Sequence, residues 1–195
     1  MAWLTWRDEL PYRPGRILFA GTSGSGKSTL ARTAGAILDL PYVELDALHH
    51  GPNWMPCPEF LDDVQQFATT ERWTTEWQYP AARPVLAERA DLLILLDLPR
   101  WLVMSRITRR TLSRRLRRVE LWNGNIEPPL RTILHDRDHI IRWAWRTHAD
   151  HVPRVTELIQ RNPSLPIVRL TTQAEVDRWL AGPLTRAARA RFRGD

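Results

Sequence analysis

Residues 21–28 read Gly-Thr-Ser-Gly-Ser-Gly-Lys-Ser, a full match to the pattern G-x-x-x-x-G-K-[ST]. Gly21, Gly24 and Gly26 let the backbone curl, so that the N–H groups of Thr22, Ser23, Ser25 and their neighbours face one concavity. A helix starting at the end of such a loop adds its partial positive charge. Together these features make a cradle for a polyphosphate. In such a cradle Lys27 reaches the β- and γ-phosphates, the Ser28 hydroxyl ligates magnesium, and Thr29 meets the α-phosphate. The chemistry implied is binding of ATP with Mg2+ and transfer of a phosphoryl group. Composition sharpens the reading. Of 28 basic residues, 27 are Arg, and Lys27 is the one Lys. A bias against lysine spared the position where a compact ammonium on a flexible stem must enter a tight loop.

A hydrated metal on a triphosphate needs a carboxylate at the end of a neighbouring strand. Three acids stand at such ends: Asp46, Glu76 and Asp97. Asp46 faces the region expected to receive an acceptor and is placed to orient or deprotonate an acceptor hydroxyl. Glu76 and Asp97 are alternatives for the magnesium. Each of the three also has an ordinary reading as a helix cap or surface carboxylate. His49 and His50 carry less weight, because adjacent side chains are expected to point apart. Trp54 and Trp77 lie near strand ends, where a ring can wall an acceptor pocket.

From Arg100 to Arg118 the chain holds eight arginines and no acid. On a helix Arg106, Arg110, Arg114 and Arg117 share one face. Leu102, Ile107 and Leu112 are then available to pack against the body. A row of guanidiniums seeks anions, and the polyphosphate supplies them. A solvated face is the plain alternative. A nucleic-acid contact, suggested by the flanking Trp101 and Trp122, is the third reading.

The elements that must position these residues follow from alternation of short apolar runs with amphipathic stretches. That pattern predicts an α/β fold with a largely parallel sheet. Strands are expected at 16–20, 42–45, 73–76, 92–97 and 166–170. Helices are expected at 27–39, 58–69, 81–89, 100–118, 138–161 with a break near Pro153, and 173–181. Asn123-Gly124-Asn125 and Pro128-Pro129 mark a turn between helical segments. Residues 1–12 read as an appendage and 183–195 as a fraying basic tail. No repeat or linker divides the chain, so one domain is expected over 1–195.

The 195 residues suffice for one substantial core. The longest apolar run, Leu92 to Leu96, is far short of a membrane span. Arg7, Asp8 and Glu9 leave no apolar leader at the N-terminus, and Cys57 is the single cysteine. These observations predict a reduced, cytoplasmic protein, monomeric or homodimeric, without a membrane partner. The net charge of +6 is uneven. Residues 1–100 hold nine basic against thirteen acidic side chains, and residues 101–195 hold nineteen against nine.

With these motifs assembled, the chain resembles the P-loop kinase-like proteins known as DNA topology modulation (FlaR-related) proteins, similar in fold to adenylate kinase and shikimate kinase. Besides the phosphate loop, the resemblance is carried by Leu45-Asp46-Ala47-Leu48-His49, Pro52-Asn53-Trp54, Leu96-Asp97-Leu98-Pro99-Arg100 and Leu121-Trp122-Asn123-Gly124-Asn125-Ile126-Glu127. It spans roughly residues 16–181. The resemblance implies a three-layer, nucleoside-monophosphate-kinase-like core with five parallel strands. It also implies an acceptor-binding segment near 47–70 and a lid near 106–127. By position it places Arg106 on adenine and Arg110 on the transferring phosphate. One departure stands out. Glu76-Trp77-Gln78-Tyr79 replaces Asp-Gly-Asn-Tyr, so a longer acid and a bulky ring stand beside the metal position.

The expectation is therefore an ATP- and Mg2+-dependent kinase of a small molecule, with a nucleoside or nucleotide among the candidate acceptors. Two rivals accompany it. One is a nucleotide-dependent regulatory protein that contacts nucleic acid through the arginine helix. The other is a kinase-like protein that binds ATP without catalysis.

Overall fold

The apolar runs alternate cleanly between two faces of a sheet. In the first strand, Ile17 and Phe19 enter one core while Leu18 and Ala20 enter another, and all four are fully buried. The fourth strand repeats the division, with Leu92, Ile94 and Leu96 on one side and Leu93 and Leu95 on the other. A strand covered on both faces needs apolar residues at every position, which is the mark of a parallel sheet between helix layers. The computed structural model describes residues 3–128, 132–136 and 139–190. Pro129, Asp138 and residues 191–195 lie outside the described residues.

In chain order the elements are β1 (Arg16–Gly21), α1 (Lys27–Leu38), β2 (Tyr42–Val43), α2 (Leu45–His49), α3 (Phe60–Ala68), β3 (Trp73–Glu76) and α4 (Ala82–Arg89). There follow β4 (Leu92–Leu96), α5 (Arg100–Leu116), α6 (Thr132–His135), α7 (Ile140–Thr147), α8 (His151–Arg161), β5 (Ile167–Leu170), α9 (Gln173–Trp179) and α10 (Thr185–Ala187). The five strands form one parallel sheet in the order β2-β3-β1-β4-β5. One face is covered by α1 and α9 through Leu30, Ala34, Leu38, Val176 and Trp179. The other is covered by α3, α4 and α8 through Phe60, Val64, Leu86 and Val155. The three-layer α/β expectation holds.

Gly35 lets α1 lie close on β3. A Cβ there would stand 2.8 Å from the Leu40 carbonyl and 3.2 Å from Thr74 Oγ1. Buried Asp91 ties the start of β1 by accepting from the N–H groups of Gly15 and Arg16, each at 3.0 Å. A charge-assisted pair of this kind holds β1 beside β4 in register.

Several expectations are corrected. Residues 44–45 leave the predicted second strand, because Glu44 is the residue before α2 and Leu45 its first. The long helix after 138 breaks at His148–Asp150, a 3-10 turn, and not at Pro153. Pro153 sits in the first turn of α8, where its missing N–H has no helical partner to lose. Leu112 is exposed, whereas Ile107 is buried as expected, together with Val103 and Thr111. The N-terminal segment is no appendage. Leu4 pairs with β5, donating to the Ile167 carbonyl at 2.8 Å and accepting from Arg169 N–H at 2.9 Å, while Trp6 and Leu10 pack on the core. The tail likewise folds as far as it is described. Leu180–Leu184 continues from α9 as a π-helical stretch, Leu184 is fully buried, and Arg186 pairs with Glu9 at 2.6 Å.

Candidate functional site

All of the candidate chemistry lies at the carboxyl ends of the parallel strands, where open α/β sheets bind ligands. Gly21 closes β1 with φ at +148°, and a Cβ there would lie 2.8 Å from Ser25 Oγ and 2.9 Å from the Leu96 carbonyl. Only glycine fits so close a return. Gly26, at φ +99°, turns the chain into α1, whose first residue is Lys27. Ser25 N–H donates to the Thr22 carbonyl at 3.0 Å and closes the loop. The buried hydroxyls of Thr22 and Ser25 make no hydrogen bond among the described residues. Ser23 and Ser28 are half-buried on the loop, and Thr29 is exposed.

Lys27 is buried, with Nζ donating to the Thr22 carbonyl at 3.3 Å. Burial pushes its ammonium below the usual lysine range. The carboxylates of Glu76 and Asp46 pull it back, and the Arg110 guanidinium adds a like charge against it. The fold thus brings Lys27, Asp46, Glu76 and Arg110 into one electrostatic neighbourhood.

Asp46 occupies the first turn of α2. Its Oδ1 accepts from Gln78 Nε2 and from Tyr79 Oη, each at 2.6 Å. Oδ2 makes no hydrogen bond among the described residues. Burial, and then the charge of Asp46, push the Tyr79 phenol well above its ordinary range, so it stays a donor. Asp46 is therefore held in one orientation by two groups that cannot take its charge. Tyr79 adopts a left-handed backbone at φ +61°, a conformation that is costly outside glycine and often kept at sites.

Glu76, at 1% exposure, ends β3. Oε1 accepts from Tyr42 Oη at 2.6 Å, while buried Oε2 has no partner among the described residues. Tyr42 also lies against the Ser28 side chain. The third acid is engaged elsewhere. Asp97 Oδ2 accepts from Arg169 Nε at 2.9 Å and Nη2 at 2.5 Å, on the β5 side of β4. Asp97 is thus paired with Arg169, whereas Glu76 keeps a buried oxygen without a partner among the described residues.

The arginine helix divides by partner. Arg106 reaches across the loop, donating to the Ser25 carbonyl at 3.4 Å and to Gln173 Oε1 at 2.7 Å. Arg110 is solvent-accessible but stands in the field of Lys27 and Asp46. Arg114 pairs with buried Glu127 at 3.3 Å, and Arg115 donates to the Glu127 carbonyl at 3.3 Å.

The segment after α5 folds back over the segment after α2. Asn123 Nδ2 donates to the His50 carbonyl at 2.6 Å, and Asn125 Nδ2 to the Gly51 carbonyl at 2.8 Å. Asn125 Oδ1 in turn accepts from Trp54 N–H at 2.9 Å. The two segments are built alike, as 3-10 turns at Pro52–Trp54 and Trp122–Gly124 with left-handed Asn53 and Asn123. Asparagine tolerates that conformation better than other non-glycine residues.

His49 and His50 do not point apart. His49 ends α2 and His50 is extended, at φ −98° and ψ 106°, so both rings fall on one side. Their Nδ1 atoms are 3.4 Å apart; His49 stacks on Tyr79 at 4.0 Å between centroids, and His50 stacks on Trp122 at 5.8 Å. Trp54 meets His50 edge-on at 5.2 Å, so it does wall this region. Trp77 takes a different place. Its indole Nε1 donates to the Arg83 carbonyl at 3.1 Å, and its ring packs on the α3–α4 core beside β3. Trp77 fills a helix interface, and Glu76 keeps its open oxygen.

Gln78, Tyr79 and Tyr42 received no role in the sequence reading, although Gln78 and Tyr79 stand in a quoted motif. His151 gave no sequence signal at all. Its ring lies in the field of Lys27, and burial followed by that charge pushes it down to about 3.

No protein-family profile matches the chain, and no curated protein matches it in sequence. Solved structures do match. A gluconokinase from Sinorhizobium meliloti 1021 superposes over 91% of this chain and 95% of its own, with a TM-score of 0.52 and 20% identity. A shikimate kinase from Acinetobacter baumannii in complex with shikimate covers 89% of this chain and 88% of its own, with a TM-score of 0.48 and 14% identity. At such identity the likeness is one of fold. With the five-stranded parallel sheet and the loop after β1, the chain has the α/β P-loop kinase fold.

Proposed function

We propose that this protein transfers the γ-phosphoryl group of Mg–ATP to a hydroxyl of a small molecule. The observation that carries the reading is the buried convergence of Lys27, Glu76 and an oriented Asp46 at the mouth of the phosphate loop. Backbone amides of residues 21–28 and Lys27 hold the triphosphate. Asp46 Oδ2 takes the proton of the acceptor hydroxyl as its oxygen bonds to the γ-phosphorus. The bond to the bridging oxygen breaks and ADP leaves. Arg106 and Arg110 face the same phosphates, and the docked segment around Trp122 excludes water that would compete with the acceptor.

The residues fit a magnesium ion. Tyr42 meets the side chains of both Glu76 and Ser28, and the orphaned Glu76 Oε2 and the Ser28 hydroxyl are both hard oxygen donors. Magnesium, when bound, would neutralise charge on the transferring phosphate. Asp97 has a guanidinium partner already, which favours Glu76. Changing Glu76 to Gln is expected to raise the Mg2+ concentration that half-saturates binding of a fluorescent ATP analogue by about 10–100-fold. An unchanged magnesium requirement would transfer the role to Asp97.

The deciding experiment is an ADP-release screen of purified protein with Mg–ATP against nucleosides, nucleotides, sugars and sugar acids. Stimulated release by one class is the expected result. Tight Mg–ATP binding with no stimulation by any class would favour a nucleotide-binding protein without transferase activity.

A further inference from the structure

A second group of charges lies beside the loop and has no part in the reaction as described. Arg83 stands in the first turn of α4, four residues after Tyr79, whose carbonyl accepts its N–H at 3.1 Å. The same turn thus carries both the tyrosine that orients Asp46 and this arginine. The Arg83 guanidinium is half-buried, lies 5.7 Å from the Trp77 ring centroid, and forms no ion pair among the described residues. The charges that act on it are those of Arg154 and Asp150. Asp150 already accepts from Arg154 Nη2 at 2.8 Å, so one carboxylate faces two guanidiniums.

His151 completes the group from the start of α8. Its Nε2 is buried and has no hydrogen-bond partner among the described residues. The charged groups acting most on it are Lys27, Arg154, Arg83 and His148, all basic. Burial first, and these charges after it, keep the imidazole neutral, so that it offers one N–H. His148 is fixed nearby in the chain, with Nε2 3.0 Å from the carbonyl of Leu98, two residues past the end of β4. Partly buried like charges without enough counter-charge weigh against a fold unless an anion meets them. A buried polar atom without a partner likewise calls for an occupant.

We propose that Arg83, Arg154 and His151 form an anion subsite facing Lys27, which binds a carboxylate or phosphate of the acceptor. The inference rests on the kinase reading for the word acceptor, and on these residues alone for the anion. The molecule phosphorylated then carries its negative group at one end, held by Arg83 and Arg154 through charge-assisted hydrogen bonds and by the His151 N–H. Its reacting hydroxyl lies at the other end, toward Asp46. Neutral polyols and nucleosides lack the group that this subsite holds.

The test uses full-length protein with its phosphate loop saturated by Mg–AMP-PNP, which keeps probe anions off the loop. Calorimetric titrations compare matched pairs: D-gluconate with D-glucose, D-glycerate with glycerol, and cytidine monophosphate with cytidine. The expected result is that the anionic member of at least one pair binds about 30-fold tighter or more. The carboxylate and phosphate pairs tell the two chemistries apart. Arg83→Gln is expected to abolish that preference while leaving AMP-PNP affinity within about twofold. Arg154→Gln serves as the second variant should Arg83→Gln fold poorly by circular dichroism. Equal binding of neutral and anionic members, or a preference that survives both substitutions, would overturn the subsite. So would the absence of binding by every anionic member. The kinase reading fails separately, if a bound anion never stimulates ADP release from Mg–ATP.

Discussion

Replacing Lys27 by alanine is expected to lower ATP turnover by roughly 10³-fold or more without unfolding the protein. The loss follows from position. The ammonium is enclosed by the loop, and no other lysine exists to stand in for it. Arginine would not substitute, because a planar fork does not fit where Nζ meets the Thr22 carbonyl. The expectation about stability follows from linkage. Burial lowers the Lys27 pKa on folding, so the unfolded chain binds this proton more tightly than the native protein. Stability then rises with pH across the window from the depressed native value up to the ordinary 10.5, and below that window the penalty is fully present. At neutral pH the buried charge weighs against the fold, and its removal offsets the lost hydrogen bond. Thermal melting within a few degrees of the parent, with turnover lost, is the predicted pair of results. Undiminished turnover would remove Lys27 from the chemistry.

Asp46→Asn is expected to reduce acceptor-dependent turnover by about 10²–10⁴-fold and to leave the KM for ATP within about twofold. Both hydrogen bonds that orient Asp46 converge on Oδ1, and an asparagine carbonyl oxygen can accept both in the same geometry. The variant therefore keeps the geometry and loses the base at the opposite oxygen. That makes it a cleaner probe than alanine, which would release Gln78 and Tyr79 together. The readout is steady-state ADP release with the acceptor and the nucleotide varied separately. Loss of ATP affinity in parallel with turnover would assign Asp46 to the metal instead.

What could be read from the sequence depended on whether chemistry was contiguous. The phosphate loop lies in eight successive residues, and its strand and helix flank it directly, so local pattern sufficed. The sheet was legible because doubly covered strands are apolar throughout, as in Leu92–Leu96. Boundaries shifted where a polar turn decided them, as when Glu44 yielded to the start of α2. The rest depends on distant pairings that no periodicity reports. Asn125 meets Gly51 and Trp54, Tyr42 meets Glu76, and Arg169 occupies Asp97. The expectation for adjacent histidines assumed continuous secondary structure through both, whereas a helix ends between them. His151 stood in a helix with no motif around it, and its meaning arises only from what burial places nearby.

The short N-terminal pairing has a consequence for how copies of this chain meet. Open sheets invite growth at their margins, where unsatisfied amides and carbonyls can recruit a foreign strand. Here one margin is closed by Leu4 on β5, and the other is β2, only two residues long. Sheet-to-sheet polymerisation between copies of this chain is thereby disfavoured.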